Sequence, residues 1–222
     1  MSAAQSPARI EIERPGGTLV LHQLAAGSGG PVVVLLHGIT ANAYSWLAAA
    51  NSIAAAHPDA TILAPDLRGR ADSRAIIGPW GLAIDATLTA TIGPAMQRLS
   101  MTFADAGAYL LHDLVPSAGG VVSSCVLDAV RADGADVLAD PATHAAVRTA
   151  AEAGAGIEFL WAARGMLNEQ QRLYDEQRLA AIGVPQTVGV TAIPDVNHYS
   201  VLFQQASVDA IVKALGRLIA RR

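Results

Sequence analysis

The sequence predicts an α/β fold with a mostly parallel sheet, an antiparallel hairpin at its start and a helical segment in its middle. Residues 32–36 are apolar throughout, and residues 61–64 are apolar except for Thr61, which is typical of strands that helices cover on both faces. Between them, the alanine-rich residues 44–56 place their larger apolar side chains on one side, as an amphipathic helix does. This order of strand, helix and strand predicts a βαβ unit with a central parallel strand at 32–36.

The first two elements are predicted as antiparallel strands. Apolar and acidic residues alternate over 10–13, and Pro15-Gly16-Gly17 separates them from Thr18-Leu19-Val20-Leu21-His22. A period of two residues on either side of a Pro/Gly turn is the pattern of a β-hairpin.

The C-terminal part repeats the alternation of strand and helix. Residues 157–161 and 187–193 are predicted as strands, with a helix over 173–182 between them. A last helix is predicted to start at a Ser207 cap and to carry its apolar residues on one stripe, with Arg217 and Arg221 near its C-terminal end.

The middle of the chain gives a weaker pattern. Over residues 74–155, prolines separate short amphipathic pieces, and no buried strand stands out. We expect mostly helical, cap-like material there. Because no linker or internal repeat divides the chain, we expect a single domain over residues 1–222.

Composition excludes several classes of function. The 222 residues carry a net charge of −4, which gives no general attraction to nucleic acid or anionic lipid. One cysteine, Cys125, forms no internal disulfide, and no Cys/His cluster has metal-ligand spacing, so no metal site is expected. No signal peptide is recognised, and the apolar runs are shorter than the roughly 20 residues that span a bilayer. We therefore expect a cytoplasmic protein without membrane association.

Three segments that follow predicted strands carry the chemistry. They are Leu35-Leu36-His37-Gly38-Ile39-Thr40, Pro65-Asp66-Leu67-Arg68-Gly69-Arg70-Ala71-Asp72-Ser73 and Pro194-Asp195-Val196-Asn197-His198-Tyr199. Reactive groups of α/β proteins collect at the carboxyl ends of parallel strands, so these are the places where a site is expected.

Together these segments resemble the α/β-hydrolase superfamily, in which an H-G turn follows the third strand, D-L-R-G-x-G-x-S follows the fourth and the catalytic histidine follows the eighth. The resemblance covers residues 10–73 and 156–222 and implies an α/β-hydrolase-like sheet that is abbreviated, with a cap-like middle segment. Ala71 stands where the family usually has glycine, which is a minor departure.

On this resemblance, His198 is the general base, and backbone N–H groups at Gly38 and Ile39 form part of the oxyanion hole. His37 is expected to be a structural residue of its turn. This chemistry uses only side chains and backbone, so no cofactor is expected.

The loop that begins at Asp66 resembles one that shapes the rim of the pocket. Arg68 lies between Asp66 and Asp72 in sequence, and charge-assisted hydrogen bonds among these three residues are expected to hold the turn. A structural role is therefore favoured for them.

The carboxylate that would orient His198 is left open. The family often places it in the turn after the seventh strand, where Glu169 is the nearest carboxylate and Asn168 stands where an aspartate is expected. Asp195 is a poorer candidate, and Glu169 as an ordinary surface acid is the alternative.

The nucleophile of the family is not recognisable. The sequence has no G-x-S-x-G motif; the closest string contains Ser117, with Val115 in place of the first glycine. His112 and Asp113 interrupt the apolar run that a fifth strand needs. Only about 40 residues separate Ser117 from the strand predicted at 157. This is too few for a helix, a sixth strand, another helix and a cap, since a βαβ unit takes roughly 30 residues or more. Ser117 is kept as the candidate nucleophile, but a cap or loop serine is favoured.

The sequence therefore predicts a serine-type hydrolase of carboxylic esters or similar small apolar substrates whose catalysis is impaired. The alternatives are a non-catalytic binding protein on the same fold, with a small-molecule ligand, and a shortened product of a longer gene. Loss of central strands would expose a sheet edge, which makes self-association into a homo-oligomer a further hypothesis.

Overall fold

The structure is a computed structural model, and it describes residues 7–14, 17–38, 40–67, 69–73, 112–117, 120–131, 133, 141–166, 168–181 and 183–221. The chain divides into two compact units. The N-terminal unit contains the described residues up to 73 and from 112 to 131, and the C-terminal unit contains those from 133 onward.

The N-terminal unit contains a four-stranded sheet. Its strands are β1 (Ala8–Arg14), β2 (Gly17–Ala25), β3 (Val32–Val34) and β4 (Thr61–Asp66), in the spatial order β1-β2-β4-β3. β1 and β2 form the predicted antiparallel hairpin, and β2 also pairs antiparallel with β4. β3 and β4 are parallel, with Val33 opposite Ile62, so the predicted βαβ unit is confirmed.

A helix connects the two parallel strands. A 3-10 helix (Ala43–Trp46) leads into α1 (Leu47–Ala56), close to the bounds that the sequence predicts. Ala49, Ala50 and Ile53 of α1 are buried, as are Val20 of β2 and Ile62 of β4. The core beneath α1 is therefore built from alanines and β-branched residues, which lets the helix approach the sheet closely.

The expectation that β3 is buried on both faces is wrong. Val32, Val34 and Leu36 are 61%, 54% and 60% exposed, so the face that carries them is left uncovered. Among the described residues, β3 also pairs with β4 alone, which places it at the edge of the sheet rather than in its centre. Alternate residues of a strand share one face, so these three side chains form an apolar row open to solvent.

The middle of the chain differs in part from the helical expectation. β5 (Leu114–Ser117) and β6 (Gly120–Ser123) form an antiparallel hairpin, with Val115 opposite Val122. Two short runs with paired valines, separated by two small residues, favour a hairpin over a helix. Helix is found at α2 (Pro141–Glu152), and most of residues 74–140 lie outside the described part of the chain.

The described part of the C-terminal unit contains α2, a parallel strand pair and two further α-helices. β7 (Glu158–Ala162) and β8 (Gly189–Ile193) pair in parallel, with Leu160 opposite Thr191. α3 (Glu176–Ala181) lies between them in sequence, and α4 (Gln205–Ala220) follows. These elements confirm the predicted alternation. No helix of the described residues is long and apolar enough to cross a membrane.

The predicted cap of the last helix is wrong. α4 begins at Gln205, because Gln204 has the extended backbone of a cap position, and Ser207 lies inside the helix. Ser207 is fully buried, as are Val208 and Ala214, so the small serine belongs to the packed face of the helix.

Candidate functional site

His198 lies in a tight turn after β8, as the sequence predicts. The side-chain oxygen of Asn197 accepts the N–H of Tyr199 and of Ser200, each at 2.9 Å. Oγ of Ser200 accepts the N–H of Asn197 in return at 3.0 Å. Asn197 and Ser200 are buried and His198 is exposed, so a rigid polar turn carries an accessible imidazole.

The loops after β7 and β8 stay paired beyond the strands. The N–H of Ala163 donates to the carbonyl of Ile193, and the N–H of Arg164 donates to the carbonyl of Val196. Because parallel strands end at the same edge of a sheet, the segments that contain Glu169 and His198 leave the sheet at that edge.

The protonation of His198 suits a base. Partial burial lowers its pKa from the ordinary 6.5, and among the described residues no carboxylate contributes to that pKa. The imidazole is therefore neutral at neutral pH, which is the form that accepts a proton.

Glu169 folds back on its own loop. Its backbone carbonyl accepts the N–H of Gly165 at 2.9 Å, and a Cβ added at Gly165 would lie 2.4 Å from Oε1 of Glu169. Asn168 and Asp195 have left-handed backbone, with φ of 70° and 58°. The orienting role of Glu169, or of Asp195, stays a prediction.

Ser117 lies in a different context from a nucleophile elbow. It is the last residue of β5, and its backbone pairs with that of Gly120 across the hairpin. An elbow serine lies on a turn from a strand to a helix, whereas Ser117 ends the first strand of an antiparallel hairpin.

The H-G turn follows β3. Gly38 is exposed, and a Cβ added to it would meet no atom within 4 Å. Its carbonyl accepts the N–H of Ala41 at 3.1 Å, and the turn is thereby closed. Ile39, the other expected oxyanion residue, lies outside the described residues.

His37 has a structural position. Nε2 accepts the backbone N–H of Leu67 at 2.9 Å, and Nδ1 donates to the carbonyl of Gly38 at 2.8 Å. Burial lowers the pKa of His37, so the neutral ring that these two bonds require is the stable form. His37 therefore ties the turn after β3 to the turn after β4.

The sequence analysis missed a group of polar side chains that converges in the N-terminal unit. His22 of β2, Asp66 of β4, Asp72 and His112 form this Asp66 cluster. Nε2 of His22 lies 2.9 Å from Oδ2 of Asp66, and Nε2 of His112 lies 2.8 Å from the same oxygen. Oδ1 of Asp66 accepts the N–H of Ala43 at 2.9 Å.

The cluster determines the charge of Asp66, which is fully buried. Burial by itself raises the pKa of Asp66, but hydrogen bonds from His112 and His22 outweigh it and hold the pKa well below its ordinary value. Tyr44 stacks on His112 with ring centroids 4.2 Å apart and meets His22 edge-on at 5.0 Å. Asp66 is thus a carboxylate whose histidine neighbours are themselves held by an aromatic ring.

The expected pairing of Arg68 with Asp66 and Asp72 stays a prediction, because Arg68 lies outside the described residues. Among those residues, the N–H of Asp72 donates to Oδ2 of Asp66 at 3.2 Å, and His22 and His112 lie within hydrogen-bond distance of the same oxygen. His22 lies in β2 opposite Ala64 of β4, and this pairing brings it beside Asp66. The one sequence signal was a histidine inside a predicted strand.

Comparison with known proteins identifies the fold. No family model and no curated protein matches the sequence. The thioesterase domain from the curacin biosynthetic pathway is similar over 98% of this chain and 100% of its own, with a TM-score of 0.60 and 15% identity. E-2-(acetamidomethylene)succinate hydrolase gives a TM-score of 0.62 at 15% identity, over 96% of this chain and 99% of its own. An α/β hydrolase from Novosphingobium aromaticivorans gives a TM-score of 0.59 at 15% identity, over 99% of this chain and 100% of its own. The chain has the α/β-hydrolase fold.

The α/β-hydrolase fold is what these similarities establish, and the predicted fold class is confirmed. All three similar structures are those of hydrolases. At 15% identity the likeness gives no substrate for this chain, and the site residues are argued from their own geometry.

Proposed function

We propose that this chain is a serine-type hydrolase of the α/β-hydrolase family, directed at carboxylic esters or similar small apolar substrates, whose catalysis is impaired. One observation carries the proposal: a neutral, exposed His198 stands in a rigid turn after β8, while the 222 residues contain no G-x-S-x-G motif. We therefore propose His198 as a base that lacks the usual nucleophile.

The expected roles follow from the chemistry of acyl transfer. His198 accepts a proton from the attacking group, and a carboxylate such as Glu169 orients the imidazole. Backbone N–H groups at Gly38 and Ile39 are proposed as the donors that hold the oxyanion. Without an activated hydroxyl, the attacking group is water, and the rate falls by several powers of ten.

The hairpin context of Ser117 supports impairment. A serine whose backbone is part of an antiparallel ladder lacks the strained turn that exposes a nucleophile beside its base. We therefore propose Ser117 as a hairpin residue, and the nucleophile as absent.

A non-catalytic binding protein is the second candidate, and the same missing motif favours it. The fold would then hold a small-molecule ligand without turnover. A shortened product of a longer gene is compatible with either function, and sequencing the adjacent DNA tests it. We also propose a single domain, a cytoplasmic location and self-association into a homo-oligomer, as expected from the sequence.

Hydrolysis of p-nitrophenyl acetate and butyrate tests the proposal. We expect slow, linear release of p-nitrophenol with no burst, unchanged in Ser117→Ala and lowered about 10-fold or more in His198→Gln. His57→Gln is the matched control, because His57 ends α1 and has no place in the proposed site. A burst of one equivalent that Ser117→Ala removes would overturn the proposal. No turnover by the folded wild-type protein would overturn the proposed hydrolysis and favour the binding-protein alternative.

A further inference from the structure

We propose that the Asp66 cluster, composed of His22, Asp66, Asp72 and His112, is a binding site for a divalent transition-metal ion, with Zn²⁺ as the ion that it fits best. All four residues belong to the N-terminal unit. The site is independent of the proposed hydrolase function, and its test measures binding rather than activity.

The spacing of the donor atoms carries the proposal. One ligand atom from each of the four residues can be chosen so that all lie within 4.8 Å of one another. Oδ2 of Asp66 is 2.8 and 2.9 Å from the two imidazole Nε2 atoms, and Nε2 of His22 is 3.7 Å from Oδ2 of Asp72. Tetrahedral zinc, with bonds of about 2.0–2.1 Å, separates its ligand atoms by about 3.3 Å. The ion therefore needs shifts of about half an ångström at each of these pairs.

The donor chemistry selects the class of ion. Two imidazole nitrogens and two carboxylate oxygens suit Zn²⁺ and neighbouring transition metals, whereas Mg²⁺ and Ca²⁺ prefer oxygen ligands alone. The two carboxylates also balance the charge of a divalent ion. Both carboxylates are needed for this balance, so the loss of Asp72 should weaken binding even though it is the most exposed member.

Groups around the cluster hold the ligands in place. The N–H of Ala43 donates to Oδ1 of Asp66, and Oδ2, which faces the two imidazoles, also accepts the N–H of Asp72 at 3.2 Å. Tyr44 packs against both imidazole rings. Such surrounding contacts orient metal ligands. Nδ1 of His22, by contrast, is buried and has no hydrogen-bond partner among the described residues. A missing outer partner lowers metal affinity by about 10–100-fold, so we expect moderate rather than tight binding.

The site is open on one side. The side chain of Asp72 is 39% exposed and that of His112 is 13% exposed, whereas those of His22 and Asp66 are almost fully buried. An ion can therefore enter past Asp72 and His112. The same difference in burial makes these two residues the better targets for substitution, since their loss disturbs the core least.

Calorimetric titration of chelator-treated full-length protein with ZnCl₂ tests the proposal. We expect one Zn²⁺ per chain, with affinity lowered at least 10-fold in both Asp72→Asn and His112→Gln. The double variant His57→Gln/Asp59→Asn, which removes a histidine and an acid outside the cluster, should bind as the wild type does. Titration with CoCl₂ should give the visible absorption of tetrahedral Co²⁺, and MgCl₂ should give no binding.

Two results would overturn the proposal. One is the absence of stoichiometric Zn²⁺ binding by folded wild-type protein, which would leave the cluster as a hydrogen-bonded structural group. The other is binding that survives in folded Asp72→Asn and His112→Gln variants, which would place the ion elsewhere. Circular dichroism of each variant confirms folding. Neither result depends on hydrolysis, so this proposal and the proposed function fail separately.

Discussion

Nε2 of His112 lies 2.8 Å from Oδ2 of Asp66, although the two residues are 46 positions apart in sequence. The contact connects the β5–β6 hairpin, which begins two residues after His112, to the buried end of β4. Asp113 holds the two ends of the hairpin together, because its Oδ1 accepts hydrogen bonds from Ser123 and Ser124 at 3.1 and 3.0 Å. The polar pair that interrupts an apolar run in the sequence thus anchors the hairpin.

Asp66→Asn is expected to destabilise the protein by about 2–4 kcal/mol. The amide keeps the shape but replaces an acceptor by an N–H₂ group that faces donors, and a buried partner is left unsatisfied. Urea unfolding followed by circular dichroism measures the change, with the exposed Asp59→Asn as control. A loss below about 0.5 kcal/mol would contradict the structural role of this carboxylate.

Glu158→Gln is expected to weaken the packing of α4 on β7. Nε and Nη2 of Arg217 donate to the two oxygens of Glu158 at 3.0 and 2.6 Å, and this pairing lowers the pKa of Glu158 from its ordinary 4.5. A lowered carboxyl pKa stabilises the fold above pH 4.5, and this contribution disappears as pH falls through the folded-state value.

The difference in unfolding free energy between wild type and Glu158→Gln should therefore be about 0.5–1 kcal/mol at pH 7 and smaller at pH 3. Glu152→Gln is the control, because its pairing with Arg148 spans 4.0 Å on an exposed helix face. An equal difference at both pH values would show that the charge of Glu158 plays no part.

His37 should make stability fall as the solution becomes mildly acidic. Burial lowers its pKa from 6.5, so the unfolded chain takes up a proton at a higher pH than the folded protein does. Stability from the neutral ring is complete above pH 6.5 and decreases until pH falls below the folded-state value. Asp66, Arg70 and His112 also act on this pKa.

The NMR signal of the His37 ring, assigned by comparison with His37→Asn, gives its titration midpoint directly. We expect a midpoint below 6.5 and a weaker pH dependence of stability in His37→Asn between pH 7 and pH 5. A midpoint at or above 6.5 would contradict the buried, neutral ring that accepts the N–H of Leu67.

Gly27→Ala is expected to cost about 1–3 kcal/mol of stability. A Cβ at Gly27 would lie 2.1 Å from the backbone oxygen of Asp59 and 2.4 Å from the backbone carbon of Ala60. Gly38→Ala is the matched control, because no atom lies within 4 Å of its Cβ position, and its effect should stay within about 0.5 kcal/mol. Equal melting temperatures for the two variants would contradict the close approach at Gly27.

Local patterns predicted the order of the elements well. The strands at 32–34 and 61–66, the helix between them and the C-terminal β7, β8 and α4 follow from periodicity and from the end signals of each segment. The exposure of β3 was not predictable in this way, because an apolar strand has the same sequence pattern whether or not other elements cover its faces. The hairpin at 114–123 was missed because four-residue strands give too few periods to separate them from helix.

The candidate site was predictable only where its residues are close in sequence. The turn around His198 is local, since Asn197 and Ser200 form it, and the D-L-R-G segment is contiguous. The Asp66 cluster was not predicted, because it depends on two long-range contacts. One is the pairing of β2 with β4, and the other brings His112 against Asp66, 46 positions earlier in the chain. Contacts across such separations depend on the tertiary fold and leave no spacing in the sequence.

The intact mass of the purified protein after incubation with a fluorophosphonate probe tests the central claim most directly. A chain with a base at His198 and no activated serine should keep its mass, while an intact serine esterase treated in parallel gains one probe. A stoichiometric adduct that peptide mapping places on Ser117 would contradict the account, because it would show a working nucleophile in the β5–β6 hairpin.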